Sequence, residues 1–282
     1  MSHPPLNHVA LRRSGRLTAE TLRVVAAAVR PGVTTAHLDH LAEEYTRDQG
    51  GTPAFLGHHG FPATICTSVN HEIVHGIPGE TTLRDGDIVS IDMGVKIDGW
   101  YTDAAITVGV GEISDEARHL LAVTRQALRI ALGEVTDGHA TGDLGAAVQS
   151  YVEAAGMSVI RDCVGHGIGQ KLHLEPSIPN FGRKGVGSRF RDSMTVAIEP
   201  MVVLGSPEIT VADDHWTVEA RDRSLAAHFE ETVIVTTGEP ERLTPLDEVL
   251  PGVDDAGRVG KVAVPAGPRP ESGSGVKSGG AS

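Results

Sequence analysis

The sequence has few cysteines, few long apolar runs and few positive charges for its length. Two cysteines in 282 residues, Cys66 and Cys163, are too few for a disulfide framework or a zinc ribbon and favour a reducing, cytoplasmic environment. Lysine and arginine total 24 against 37 aspartate and glutamate, and a net charge of -13 without a basic cluster argues against nucleic acid as a partner. The longest apolar run, residues 24–29, is far shorter than the ~18 residues of a membrane span, so we expect no membrane partner. The polar first residues predict no secretory signal peptide.

The composition divides the chain into a folded part and a tail. Hydrophobic residues make up 40% and charged residues 22%, which is typical of a globular protein. Residues 251–282 contain eight glycines, four prolines and four serines and no aromatic residue. We therefore predict one domain over residues 1–250 and a disordered C-terminal tail over 251–282.

An internal repeat appears when the chain is shifted by 106 residues. Helical patterns at 17–29 and 35–47 correspond to patterns at 120–132 and 141–155, and glycine-containing breaks follow in both copies. The matching pairs are Thr18/Thr124, Leu22/Leu128, Arg23/Arg129, Gly32/Gly138, Thr35/Thr141, Leu38/Leu144, Tyr45/Tyr151 and Gly50/Gly156. The repeat predicts one α+β domain made of two similar halves, each with two helices followed by strands.

Acidic residues interrupt the strand-like runs that follow the helices, at 87–94, 100–108, 195–203 and 229–235; a further run, 216–218, has none. The acids are Asp92, Asp103, Glu199 and Glu230. A hairpin centred between residues 97 and 98 would place Asp92 directly opposite Asp103. Repulsion between two such carboxylates is relieved by a shared proton or a bound cation, although either residue could instead lie on a solvent face. Four acids in four apolar runs favour inward-pointing ligands for divalent cations.

Histidines supply possible nitrogen ligands. His166 lies within the glycine-rich run 165–169, where backbone and imidazole can approach a ligand closely, and His173 follows seven residues later; each could also be a surface loop residue. The run His71–His75 satisfies the H-E-x-x-H pattern of zinc proteases. Its β-branched residues and the following Gly76 and Pro78 favour a strand, on which the two histidines would lie too far apart to share an ion. His75, which leads into the run 75–78, could contact a substrate or be a loop histidine.

Seven motifs in order carry a family resemblance. They are CTSVN (66–70), HGIP (75–78), DIVSID (87–92), DGWYTD (98–103), GHGIG (165–169), IEPM (198–201) and FE (229–230). Together they resemble the type I methionine aminopeptidases of the bacterial short form, over residues 11–244. Each motif is weak alone, but the order and spacing of all seven are specific.

The resemblance implies a pita-bread fold, an α+β architecture with two pseudo-symmetric halves around a central antiparallel sheet. It implies a methionyl aminopeptidase that removes the initiator methionine when the second residue is small, with two divalent metal ions (Co, Mn, Fe or Zn) that activate a water molecule. The metal ligands would be Asp92, Asp103, His166, Glu199 and Glu230, with Asp103 and Glu230 shared between the ions.

Roles for further residues also follow from the resemblance. Glu199 would transfer a proton, His173 would polarise the scissile carbonyl and His75 would lie near the scissile nitrogen. The residues expected to bind substrate are Phe55, His58, Phe61, Cys66, His75, Leu172, His173 and Trp216. Three positions depart from common family forms: His58 replaces a tyrosine, Leu172 an aromatic residue and Glu231 a histidine. The expected partners are N-termini of nascent polypeptides, including those at the ribosome, and we expect a cytoplasmic monomer.

Three other functions fit parts of the pattern. An Xaa-Pro peptidase would share the fold and ligand types, but such enzymes usually carry a large extra N-terminal domain, for which we expect no room before Asp92. A non-catalytic binding module of this fold would typically have lost metal ligands, whereas all five are present. A glycosidase with two carboxylates would leave His166 and the remaining acids unexplained.

Overall fold

The structure is a computed structural model and describes residues 6–249. The predicted tail, 251–282, lies outside the described residues. Four long helices form two pairs, and a short helix follows near the end. The helices are α1 (His8–Ala28), α2 (Thr35–Asp48), α3 (Asp115–Gly133), α4 (Thr141–Ala154) and α5 (Leu246–Val249).

The helix pairs confirm the repeat. The bounds of α2 and α4 differ by the 106 residues of the sequence offset. Gly32 and Gly138 both have φ +88°, and Gly50 and Gly156 both have φ +79°, a left-handed backbone that glycine adopts without steric cost. Helices α1 and α3 begin earlier than predicted because the side chains of Asn7 and Ser114 cap them, each accepting a hydrogen bond from an N–H of the first turn.

The strands form one large and two small sheets, all with antiparallel pairing. Within residues 6–249 the central sheet has nine strands in the order β1-β4-β5-β14-β9-β7-β8, with β2 beside β4 and β15 beside β14; the small sheets are β13-β10-β6 and β11-β12-β3. The strands are β1 (Thr52–Pro53), β2 (Cys66–Val69), β3 (Glu72–Val74), β4 (Ile88–Ile97), β5 (Trp100–Gly109), β6 (Ser158–Val159), β7 (Gly165–Gly167), β8 (Leu174–Ile178), β9 (Thr195–Ile198), β10 (Met201–Val203), β11 (Ile209–Val211), β12 (Val218–Ala220), β13 (Ala226–His228), β14 (Glu230–Ile234) and β15 (Glu241–Arg242).

One continuous apolar core joins the two halves. Helix α1 packs on the β4–β5 hairpin, α2 packs on α1 and β1, and α3 packs on β9, β10 and β13. Side chains of all four long helices and of the central sheet meet in the same buried cluster, which includes Leu22, Leu38, Leu120 and Leu144. None of the helices in the described part combines the length and apolar character that crossing a membrane demands.

The β4–β5 hairpin differs from the predicted register. Its turn consists of Asp98 and Gly99, whose φ angles of +49° and +83° are those of a two-residue type I′ turn. Asp92 therefore lies opposite Ala105, and Asp103 lies opposite Gly94. The predicted direct opposition of the two aspartates is wrong by two positions. Because side chains alternate with a period of two, the aspartates still share one face as diagonal neighbours.

One predicted strand is divided in the structure and another is shortened. The run 195–203 breaks between β9 and β10 at Glu199 and Pro200, and the run 229–235 begins one residue later than predicted because Phe229 separates β13 from β14. Pro200 has no N–H to donate to a ladder. The register is the same on both sides of the breaks, so Glu199 lies opposite Glu230. The two acids thus meet where the central sheet gives way to a small one.

The predicted strand 216–218 is also displaced. Strand β12 begins at Val218 because Asp214 holds the preceding residues in a turn. Asp214 Oδ1 accepts hydrogen bonds from the N–H groups of Trp216 and Thr217, both at 2.8 Å. This turn places Trp216 at the wall of the cavity described below.

Candidate metal centre and substrate cavity

A cavity of about 420 Å³ opens beside the strand breaks. Every residue that the sequence predicted for the site lines it. These residues are Phe55, His58, Phe61, Cys66, His75, Asp92, Asp103, His166, Leu172, His173, Glu199, Trp216 and Glu230. The fold therefore collects on one surface residues that are up to 175 positions apart, between Phe55 and Glu230.

The acids and one histidine cluster at the floor of the cavity. Ligand atoms of Asp103, His166 and Glu230 all lie within 4.8 Å of one another. His166 Nε2 lies 3.5 Å from Glu199 Oε1. Asp92 interacts directly with Asp103 from the neighbouring strand. The arrangement is a compact set of oxygen donors with one nitrogen donor.

Hydrogen bonds from outside the cluster hold these residues in place. The Thr232 hydroxyl accepts a hydrogen bond from the Asp103 N–H at 2.8 Å and donates to the Asp103 carbonyl at 2.7 Å. Asn180 donates its amide to the Glu199 carbonyl at 2.9 Å. His166 Nδ1 lies 2.9 Å from the Gly167 carbonyl, which can only accept. The proton therefore resides on Nδ1, and the Nε2 lone pair is left to face the acids.

Burial and mutual repulsion disfavour the charged forms of the four carboxyl groups. Burial raises the pKa of Asp103 to about 7. The pKa values of Asp92, Glu199 and Glu230 are raised well above the ordinary range, first by burial and then by the neighbouring carboxylates. No lysine or arginine is among the described residues that line the cavity. The negative charge of this cluster has no side-chain counter-ion there.

The donor set fits divalent cations. Asp92 Oδ1, Asp103 Oδ1 and Glu230 Oε1 are buried, and within residues 6–249 they have no hydrogen-bond partner. Buried carboxylate oxygens without partners are costly unless a cation occupies them. Carboxylates with an imidazole suit Mn, Fe, Co and Zn.

An apolar pocket adjoins the acids. Phe61 makes edge contacts with Phe55 and Trp216, with ring centroids at 6.5 and 5.2 Å. Cys66 and Leu172 pack in the same cluster. Cys66 lies opposite Asp92 in the β2–β4 ladder, so the pocket and the carboxylates share a wall, and burial raises the pKa of its thiol. A substrate residue whose side chain occupies this pocket would have its backbone next to the acids.

Residues 9–237 match the sequence profile of metallopeptidase family M24. The methionine aminopeptidase of Clostridium perfringens is 47% identical over 234 residues, which are 83% of this chain and 94% of that protein.

The chain belongs to metallopeptidase family M24.

Solved structures of other proteins have the same fold as this M24 metallopeptidase. The crystal structure of methionine aminopeptidase from Rickettsia prowazekii is similar with a TM-score of 0.82 and 41% identity, over 84% of this chain and 96% of that one. An Xaa-Pro dipeptidase from Bacillus anthracis is similar in fold alone, with a TM-score of 0.68 and 21% identity, over 84% of this chain and 60% of that one. The expected family, the pita-bread fold and the expected metal-dependent hydrolase are confirmed.

Three histidines of the metallopeptidase line the cavity side by side. His58 Nε2 lies 3.3 Å from His173 Nδ1, and the rings of His173 and His166 are 4.4 Å apart at their centroids. Desolvation, with the neighbouring imidazoles, lowers the pKa of His173 to about 4. His173 is therefore neutral near pH 7. When His58 donates a hydrogen bond to Nδ1 of His173, the proton of His173 lies on its Nε2. That N–H of His173 is then free to donate to a substrate.

The H-E-x-x-H pattern lies on a strand and not on a helix. Glu72 lies on β3, where its carboxylate accepts a hydrogen bond from the Val69 N–H at 2.7 Å. His71 Nε2 faces Glu219 at 3.5 Å in a small sheet. His75 follows β3 with a left-handed φ of +62° and reaches the cavity. The prediction that these histidines do not form a helical zinc motif is confirmed.

The structure also separates the two adjacent glutamates of this family member. Glu230 lines the cavity, whereas Glu231 lies on the opposite face of β14. The carboxylate of Glu231 accepts two hydrogen bonds from the Arg242 guanidinium and one from the Leu246 N–H at 3.2 Å. Glu231, at the position where a histidine was expected, is thus part of an ion pair and does not join the acids.

Sequence reasoning missed three residues that the structure places around the acids: Asn180 and Thr232, which hold ligand backbones, and His228. Nothing in the local pattern distinguishes Asn180 or Thr232. His228 had a visible signal, since it is a histidine in the apolar run before Glu230. Its ring lines the cavity and is almost fully buried.

Proposed function

We propose that this metallopeptidase removes N-terminal methionine from polypeptides whose second residue is small. The observation that carries the proposal is the contact between an apolar pocket with aromatic walls and a cluster of four buried carboxyl groups and a histidine. A thioether side chain suits a soft pocket of this kind. The similarity to methionine aminopeptidases, which extends over most of both chains, supports the same substrate.

Two divalent cations would be held by the five residues named from the resemblance. Asp103 and Glu230 would be shared, Asp92 would complete one coordination sphere, and His166 and Glu199 the other. Asp103, His166 and Glu230 are close enough for this assignment. The donor set admits Mn, Fe, Co or Zn. When bound, the cations would act as Lewis acids that polarise the scissile carbonyl and lower the pKa of a water molecule.

The protein's own residues would orient the substrate and move protons. Glu199, whose side chain is only 12% exposed, would take a proton at its carboxylate and deliver it to the leaving amine. His173 would donate to the carbonyl oxygen, with its tautomer set by His58. His75 would lie at the scissile nitrogen. Phe55, His58, Phe61, Cys66, Leu172 and Trp216 would enclose the methionine side chain.

The setting of the reaction is part of the proposal. We place the protein in the cytoplasm as a monomer, acting on nascent chains including those at the ribosome. Both cysteines are free thiols, which is typical of a reducing compartment. The exposed large apolar residues, among them Val9, Leu56 and Val186, come from separate segments of the described chain, as expected for a surface without an obligate partner.

A peptide panel tests the proposal. We expect release of methionine from Met-Ala-Ser but not from Met-Leu-Ser, Ala-Pro-Ser or N-acetylated Met-Ala-Ser. Chelation should abolish the release, and added Mn or Co should restore it. Amino-acid release is quantified by chromatography before and after each addition.

Each alternative function has its own outcome in the panel. Release from Ala-Pro-Ser would identify a proline-specific peptidase of the same fold. No release from any peptide, by a folded protein that binds no metal, would favour a non-catalytic binding module. Release from Met-Leu-Ser as fast as from Met-Ala-Ser would contradict the rule for the second residue.

A further inference from the structure

We infer that His228 is a second nitrogen ligand of the metal centre, binding a cation beside Glu199 and Glu230. The inference rests on the proposed metal centre and adds a ligand to the five residues named above. It concerns a side chain that the proposed reaction otherwise does not use.

Hydrogen bonds hold the backbone at His228 in place. His228 is the last residue of β13, directly before the break that precedes Glu230. Its N–H donates to the Thr107 hydroxyl at 2.9 Å, and that hydroxyl donates to the His228 carbonyl at 2.9 Å. These two hydrogen bonds position the His228 backbone, and the His228 ring lines the same cavity as the acids.

The ring is buried without a partner. His228 is 1% exposed, and neither Nδ1 nor Nε2 has a hydrogen-bond partner within the described residues. A neutral imidazole carries one donor and one acceptor, and leaving both unsatisfied in the interior is energetically unfavourable. Such a side chain therefore indicates a binding partner that is not part of the protein.

The distances around Nε2 suit a cation. His228 Nε2 lies 3.8 Å from Glu199 Oε2 and 3.9 Å from Glu230 Oε2, too far for hydrogen bonds. Metal–nitrogen and metal–oxygen bonds of about 2.0–2.2 Å can together span up to roughly 4.2 Å. Both gaps fall below this limit. A cation between His228 Nε2 and either carboxylate oxygen can thus contact both atoms.

The two histidines approach Glu199 from different sides. His166 Nε2 faces Oε1 of Glu199, whereas His228 Nε2 faces Oε2. His228 therefore does not duplicate the position of His166. A second imidazole adds a nitrogen donor without adding charge, which should favour Co and Zn over Mn.

The test counts the histidines bound to cobalt. Full-length wild-type protein, His228→Gln and the control His139→Gln are each loaded with two equivalents of Co²⁺, and X-ray absorption at the cobalt edge measures imidazole coordination. His139 is half-exposed and pairs with Glu134 outside the cavity. We expect two histidines per two cobalt ions in the wild type and in His139→Gln, and one in His228→Gln. Calorimetric titration should show at least a tenfold weaker affinity for one cobalt ion in His228→Gln only.

Other results would overturn the inference, and the wild-type count does so even if His228→Gln does not fold. One histidine per two cobalt ions in the wild type would remove His228 from the centre while leaving the proposed function intact. An unchanged count and affinity in a folded His228→Gln would do the same. A wild-type protein that binds no cobalt would overturn both this inference and the proposed metal centre.

Discussion

Glu199→Ala is expected to lower methionine release from Met-Ala-Ser by about a thousandfold or more while the protein stays folded. General acid–base catalysis alone contributes about 10²–10⁴-fold, and this variant also loses an oxygen ligand. Release is measured with excess Mn or Co, and circular dichroism reports the fold. Near wild-type release would contradict the role given to Glu199.

A second variant separates proton transfer from metal binding. Glu199→Gln keeps the size of the side chain and one oxygen, but its amide cannot take up the proton. We expect retained metal and a loss in kcat of about a hundredfold or more. The control Glu208→Gln alters a carboxylate that is 63% exposed and pairs with Arg221 away from the cavity, and it should leave kcat unchanged.

The fold should tolerate the loss of the Glu199 side chain for a physical reason. Its pKa is raised by burial and by Asp103, which means that the charged form is unfavourable among the other acids. Its backbone is held separately, through the Asn180 amide. In the presence of a chelator, urea unfolding should therefore show Glu199→Ala to be at least as stable as the wild type.

The helical half of the fold could be predicted because its signals are local. Apolar periodicity and the glycines at 32, 50, 138 and 156 determine where helices end, and both recur after 106 residues. The strands were less predictable. The turn at Asp98 and Gly99 shifts the hairpin register by two, and a composition of valine, isoleucine and threonine does not reveal that Pro200 divides a strand.

The grouping of the site residues depended on family spacing more than on local pattern. The motif order brought together Asp92, His166 and Glu230, which the fold places on one cavity. A single histidine such as His228 could not be assigned in the same way. The role of His228 depends on which carboxylate oxygens its ring faces across a strand break. The register of the strands determines that arrangement.

Arg242→Met is expected to destabilise the protein by about 3 kcal/mol near pH 7. Glu231 is 1% exposed, and the Arg242 guanidinium binds both of its carboxylate oxygens. Removing one partner of a buried ion pair leaves an uncompensated charge and typically costs 3–5 kcal/mol. The lower end applies because the Arg242 side chain is 30% exposed. Urea unfolding with a chelator present measures the change without a contribution from metal binding.

The control is a similar pair on the surface. Arg221 and Glu208 lie 3.2 Å apart, and both side chains are 63% exposed. Arg221→Met should cost less than about 1 kcal/mol, since solvent screens the pair and hydrates the remaining carboxylate. Equal small losses in Arg242→Met and Arg221→Met would show that the buried pair has no special role.

The charge left behind in Arg242→Met predicts a pH dependence with a definite sign. Burial already raises the pKa of Glu231, and Arg242 opposes that rise. Without the guanidinium the folded-state pKa should lie further above the unfolded value, so the folded protein binds more protons than the unfolded chain. Its stability should then increase as the pH falls, and the difference from the wild type should shrink from pH 8 to pH 5. Adding Glu231→Gln to Arg242→Met removes the buried charge, and we expect the double variant to be more stable than Arg242→Met at pH 8. A double variant no more stable than Arg242→Met would show that lost packing, and not the uncompensated carboxylate, causes the destabilisation.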